Sequence, residues 1–391
     1  MHIHDVPVRP TPDQLRRLRA HRPYALALLS RLQVAAGAFD GLGGAADNHG
    51  AGTSPYAHVL FVEEGTTETG TETRTACDPP FAAAFVDLSK APETAAWLYA
   101  TDQDGSLHPP DDATPTAWVV DRGAALVADW APARRAQLAE AAASATTAAA
   151  AAQVTTHVKV NIHDGVRYLL QHPEAVEGVG RTDTDGDGRD AVTVTTTYWD
   201  AYDKWLFRIK DLPVLSNLTD TAVDIAPAAT ATAAPPPLST LYWDVVRPGD
   251  VALVMARTSI PRSAATLLSL PSVALRDGSG GGGRGEHQHN INGTLQAWAF
   301  LGVDGSLWSL HCEPAYRGRG LAKTLAARLL RTYSGVFDDD DDDNDDGGGW
   351  CAADVSALNR QSQGVCRSLG GVRTWSTAWV IIQYDSLGDD E

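Results

Sequence analysis

The fold is decided by GSLWSLHCEPAYRGRGLAKTLAARLL, Gly305 to Leu330. An apolar run, SLWSLHCEP, has the composition of a strand and stops at Pro314. Arg317-Gly318-Arg319-Gly320 follows, then a helix whose Leu321, Leu325, Leu329 and Leu330 fall on one face. The first amides of a helix lack intrahelical acceptors and sit at the positive end of its dipole. Gly318 and Gly320 let a bulky anion approach the backbone, and Arg317 and Arg319 add charge. Such a unit suits a pyrophosphate. Two other phosphate motifs do not fit: there is no Gly-Lys-Ser/Thr of a P-loop, and the third glycine of a dinucleotide fingerprint is missing after Gly320.

Outward from this unit the C-terminal half is orderly. STLYWDVV (239–246) and DVALVMART (250–258) have helical spacing, with a strand as the alternative for the second. SAATLLSL (263–270) is a short helix after Pro261. PSVALRD (271–277) and LQAWAFLG (295–302) are strands joined through the glycine-rich GSGGGGRGEHQHNING (278–293). WCAADVS (350–356) is a strand, NRQSQGVCRSLG (359–370) a helix ended by glycine, and TAWVIIQYD (377–385) a strand. The order is antiparallel strands, strand, helix, strand, helix, strand.

In the N-terminal half, residues 13–36 have helical spacing broken by Pro23. YAHVLFVEE (56–64) and FAAAFVDLS (81–89) are strands, and AWVVDRG (117–123) is short and β-branched. Residues 133–153 are a helix fading into alanine and threonine, and VKVNIHDGVRYLLQHP (158–173) contains a helix ending before Pro173. TDTDGDGRD (182–190) places Asp183, Asp185, Asp187 and Gly188 as in the first half of a calcium loop, but Val194 stands where the bidentate glutamate is needed. A solvated acidic insertion between strands, AVTVTTTYW (191–199) being the second, is the better account. The proline-, alanine- and threonine-rich APAATATAAPPPL (226–238) has no packing face and marks a linker. The division is therefore an N-terminal α/β lobe over 1–225, a linker over 226–238 and a C-terminal domain over 239–391.

The formal charge of −18 over 391 residues argues against nucleic acid and anionic membrane as partners. Eight aspartates within Asp338–Asp346 supply much of it as a solvated run. No signal-peptide core and no long apolar span is found, and Cys77, Cys312, Cys351 and Cys366 lack paired spacing. A cytoplasmic protein with reduced thiols is expected. His287 and His289 form a lone His-x-His in a glycine-rich loop, which is loop filling, and no metal site is expected.

The strand–RGxGxA–helix unit after antiparallel strands resembles the coenzyme A signature of the GNAT superfamily of acyl-CoA N-acyltransferases. Arg317, Gly320 and Ala322 meet its pattern, with Pro314 and Tyr316 before them. ADVSALNRQSQGVCRSLGG resembles the next strand and helix of that superfamily, with Asn359, Ser362 and Leu369-Gly370 at matching spacing. The likeness covers roughly the last 150 residues. It is greatest to the glycine N-acyltransferase-like branch, whose motif-less N-terminal lobe would correspond to the half before the linker. The resemblance implies an α/β (α+β) fold with a mixed, mainly antiparallel central sheet and flanking helices, and acetyl-CoA or another acyl-CoA as cosubstrate. It implies that backbone groups around Leu310 and Cys312 pair with the pantetheine arm. The amides of Arg317, Gly318, Arg319, Gly320, Leu321 and Ala322 would hold the pyrophosphate, and Asn359 would stand across a gap between splayed parallel strands.

Amide formation from a thioester needs a neutral amine, a stabilised carbonyl oxygen and a proton for the leaving thiolate. The resemblance implies a strand amide near Cys312 for the second need. For the third, Cys366 stands where a tyrosine is common, and a packed core cysteine is the competing reading. For the first, Ser306 stands where glycine N-acyltransferases carry glutamate, and neither Ser306 nor Trp308 is a base. His311 and Glu313 are the remaining candidates, but strict alternation points them to the opposite face from Ser306 and Trp308 unless a bulge intervenes. The expected activity is direct acyl transfer in a ternary complex to a primary amine of a small molecule or amino acid. A protein or peptide N-acetyltransferase and a coenzyme A-binding regulatory protein without turnover remain as alternatives.

Overall fold

The computed structural model describes residues 2–7, 10–40, 42, 57–63, 81–87, 93, 96–101, 157–163, 194–214, 236–279, 293–337 and 349–384. The chain forms two compact units. One comprises Met1–Ala36, Thr53–Tyr202 and Trp375–Glu391, and the other Gly37–Gly52 and Asp203–Thr374. These limits fall at Tyr202/Asp203 and Thr374/Trp375, whereas sequence composition drew them at 225 and 239. The end of the chain thus belongs to the first unit.

In the first unit, strands β1 (His2–Pro7), β2 (Ala57–Glu63), β3 (Phe81–Asp87) and β4 (Ala96–Ala100) are antiparallel neighbours in that order. β5 (His157–His163) then pairs in parallel with β4, through Ala96↔Val160 and Trp97↔Asn161. Helix α1 (Pro12–Ala20) opens on a capping box between Thr11 and Gln14, with Pro12 at its first position. Pro23 separates it from α2 (Leu26–Ala35), whose Leu28, Leu29 and Leu32 are buried. Every residue of β3 is buried. Its alanines leave room for α2, whose Arg31 guanidinium lies 3.9 Å from the ring centroid of Phe85.

The second unit repeats this strand logic. β7 (Leu241–Asp244), β8 (Ser272–Asp277), β9 (Thr294–Leu301) and β10 (Leu307–Cys312) are antiparallel neighbours. β11 (Trp350–Ser356) meets the β10 edge in parallel at the bridge Ser306↔Ala352. Two strands, β6 (Val194–Arg208) and β12 (Val372–Tyr384), run through both units. In the second, β6 lies between β11 and β12, and the Lys204 carbonyl accepts from the Thr374 hydroxyl. In the first, Thr377 to Gln383 of β12 pair antiparallel with β5.

Helices α3 (Val251–Arg257) and α4 (Ala264–Ser269) precede β8, α5 (Leu321–Thr332) follows β10, and α6 (Arg360–Ser368) follows β11. α5 packs across β8, β9 and β10 with Leu321, Leu325, Leu329 and Leu330 buried. Buried Arg276 on β8 ties the start of α3 to the sheet through Asp244 on β7 and Asp250. Burial alone would lower its pKa, but its hydrogen bonds to Asp250 and Asp244 outweigh that and raise it.

The fold is the mixed, mainly antiparallel α/β arrangement expected. Three elements differ from the sequence reading. STLYWDVV is a 3-10 turn and β7 instead of a helix, because Leu241, Tyr242 and Trp243 pair with β8. VKVNIH, at the head of the segment expected to contain a helix, forms β5. AWLYA, which the sequence reading passed over, is β4, buried throughout. AWVVDRG, the helix expected at 133–153, the stretch before Pro173 where another helix was expected, the acidic loop at 182–190, most of the linker, His287, His289 and the aspartate run lie outside the described residues.

Candidate functional site

β10 is not a regular strand. Trp308 pairs with Phe300 and His311 with Trp298, so three steps on β10 match two on β9. The extra residue is absorbed where Ser309 takes a φ of 49°. This bulge reverses the alternation expected from the sequence and puts His311 on the same face as Trp308. Glu313 stays in step with His311, its amide donating to the Gln296 carbonyl at 2.8 Å. The Cys312 amide and carbonyl therefore point to the other edge, toward β11. Among the described residues Ser306↔Ala352 is the one bridge across that edge, so the edge from Leu310 to Cys312 is open, as pairing with an extended ligand requires. The Cys312 carbonyl accepts from Arg317 Nε at 2.8 Å.

After Cys312 a 3-10 turn (Pro314–Tyr316) brings the chain to α5. Tyr316 anchors it, its hydroxyl donating to Asp277 at 2.9 Å. Burial and that hydrogen bond push the phenol up to about 12. Gly318 and Gly320 hold φ values of 72° and 78°, in the left-handed region that favours glycine. Gly320 is the N-cap of α5, and its carbonyl accepts from the Thr324 amide. The amides of Gly318 to Lys323 have no acceptor among the described residues. A Cβ on Gly318 would meet nothing within 4 Å, which leaves room beside the turn. Arg319 donates to the Pro236 carbonyl at 2.6 Å. The two arginines thus brace the cradle, and its anion donors are backbone amides.

A second group of side chains stands on the face that the bulge gives to His311. The imidazole stacks on Trp298, centroids 4.6 Å apart at 21°. Its Nε2 is buried without a hydrogen bond and lies 3.7 Å from Glu313 Oε1. Glu313 Oε1 accepts from Arg257 Nε of α3 at 2.8 Å. The His311 pKa lies below its ordinary 6.5, first because burial disfavours the cation and then because Arg317 and Arg257 repel it, with Glu313 opposing. Nearby, the Arg262 guanidinium lies 4.0 Å from the Trp308 ring centroid. Trp308 Nε1 donates to Ser306 Oγ at 2.7 Å, and the Ser306 hydroxyl donates to buried Asp304 at 2.6 Å. Ser306 is fully engaged in holding Trp308.

Asn359 is the N-cap of α6, its side-chain oxygen accepting from the Ser362 amide at 3.0 Å. Cys366 is buried on the same helix, and burial pushes its thiol up to about 12. Among the described residues no group of histidine, cysteine, aspartate and glutamate could hold a metal, and no helix is long and apolar enough to cross a membrane. Arg257, Arg262, Trp298 and Asp304 were missed from sequence. They reach the site from other elements, and only the fold reveals them.

Residues 1–185 match the family described as the acyl-CoA N-acyltransferase verG N-terminal domain. No curated protein matches the chain. Three solved structures resemble it. A Drosophila protein is 14% identical, with a TM-score of 0.49, covering 98% of this chain and 100% of its own. A GCN5-related N-acetyltransferase from Kribbella flavida is 12% identical at 0.35, over 78% and 87%. A tandem GNAT protein from the clavulanic acid biosynthesis pathway is 12% identical at 0.36, over the full length of both. The family match lies over the N-terminal part of the chain, whereas the cradle and the open edge stand in the second unit.

Proposed function

We propose that this chain is an acyl-CoA-dependent N-acyltransferase that transfers an acyl group directly to a primary amine, with the second unit carrying the reaction. The observation that carries this reading is the continuity of the open Leu310–Cys312 edge with the unpaired amides of Gly318 to Lys323. An extended arm ending in a pyrophosphate needs those two features in that order. The residues present fit such a ligand: left-handed Gly318 and Gly320 keep the turn free of side chains, and the Cys312 amide has no partner across the open edge. When bound, acyl-CoA supplies an activated carbonyl.

The chain's residues then have assignable parts. The Cys312 edge aligns the thioester and its amide faces the carbonyl oxygen. Asn359 stands at the head of α6, close in sequence to β11. Cys366, a buried thiol where a tyrosine is common, is the candidate donor to the departing thiolate. The glycine N-acyltransferase-like motifs support a small amine or amino acid as acceptor. Ser306 at the usual glutamate position is what a coenzyme A-binding protein without turnover would also show.

The test is acetyl-CoA with a panel of amino acids, small amines and peptides, read by free-thiol release. Release that depends on one class of amine supports the transferase and identifies the acceptor. Binding of acetyl-CoA without release from any amine would favour the regulatory reading.

A further inference from the structure

The site described so far has an acyl seat but no group at Ser306 to take the proton of an incoming ammonium. We propose that His311 is that base, and that Glu313, held by Arg257, positions its ring and stabilises its protonated form. This rests on the acyl-transfer reading. Three independent features of geometry support it. The bulge at Ser309 turns His311 onto the face of Trp308 and α3. Stacking on Trp298 fixes the plane of the ring. Of its two nitrogens, Nε2 is buried and turned to Glu313 at 3.7 Å, which leaves Nδ1 to meet an acceptor.

The arrangement follows the logic of an imidazole oriented by a carboxylate. With Nε2 protonated toward Glu313, the lone pair is on Nδ1. The charged groups around the ring are Glu313 just past the end of its strand, Arg317 on the turn and Arg257 from α3. Burial and the two arginines keep the imidazole neutral at neutral pH, which is the form a base needs. In the reaction the ammonium gives one proton to Nδ1. The amine nitrogen attacks the thioester carbon, the C–N bond forms and the C–S bond breaks. Cys366 gives its proton to the leaving thiolate and regains one from the second N–H, and the proton on Nδ1 passes to solvent.

Two measurements test this on the full chain. In histidine-labelled protein followed by NMR, with His311→Gln to assign the resonance, His311 should titrate below 6.5. Glu313→Gln should move that titration lower, and Arg257→Met should move it higher. This arm needs no substrate. In thiol release with acetyl-CoA and the amine the panel identifies, His311→Gln should lower kcat about 100-fold or more, with partial recovery on adding imidazole. Its stabilisation by acetyl-CoA should be unchanged. Glu313→Gln should shift the acid limb of the kcat/KM profile to lower pH, which remains readable if His311→Gln fails to fold. Wild-type turnover and pH profile in His311→Gln, or a His311 titration blind to Glu313→Gln, would overturn the proposal. Lack of turnover with every amine would count against the acyl-transfer reading instead, and the NMR arm would still judge the His311–Glu313–Arg257 arrangement.

Discussion

At Ser309 the backbone enters the left-handed region without a glycine to ease it. An L-residue there costs about 1–2 kcal/mol. Glycine would relieve this but lose about 0.5–1 kcal/mol through the freedom of the unfolded chain. Ser309→Gly should therefore leave the melting temperature within a few degrees of wild type and keep the bulge. Ser309→Val should lower it by several degrees, because a β-branched side chain resists that conformation, and should impair turnover more than acetyl-CoA binding. Scanning calorimetry beside thiol release checks both. Cys366→Ala belongs to the same scale. If the thiol gives its proton to the leaving group, kcat should fall about 10-fold or more at unchanged acetyl-CoA binding. Unchanged kcat would leave Cys366 to packing.

The element that most repays attention is β10 with the turn behind it. Arg317-Gly318-Arg319-Gly320 was legible in sequence because glycines, a proline and an amphipathic helix each have a local signature. The bulge was not. Serine carries no mark of a positive φ, so alternation alone set His311 and Glu313 on the wrong face. β7 and β5 were likewise hidden, since Leu241 to Asp244 and Val158 to His163 become strands through partners distant in sequence. Arg257 and Arg262 reach the site from α3 and the segment after it, and no local motif announces them. At the start of α6, Asn359→Ala removes a cap and should destabilise by about 1 kcal/mol, seen as a lower midpoint in urea. Asn359→Ser, which keeps a capping oxygen, should recover most of that loss.

Over the whole molecule, two units share one strand order, four antiparallel strands followed by a parallel step, and the RGxGxA motif stands in the second. The second unit buries groups that ionise at high pH. Burial holds Cys312 and Cys366 near 12 against an ordinary 9.0, and Tyr316 near 12 against 10.0. Raised folded-state values favour the neutral forms, so this contribution is complete below pH 9 and is lost as pH rises toward 12. Thermal midpoints should be steady between pH 7 and 9 and fall steeply above. The central claim is that the β10 edge and the head of α5 form one acyl-CoA seat. Calorimetric titration of acetyl-CoA into the full chain, beside Gly320→Val, tests it most directly. The left-handed Gly320 predicts saturable single-site binding by the wild type that the variant loses. No binding by the wild type, or equal binding by both, would contradict it.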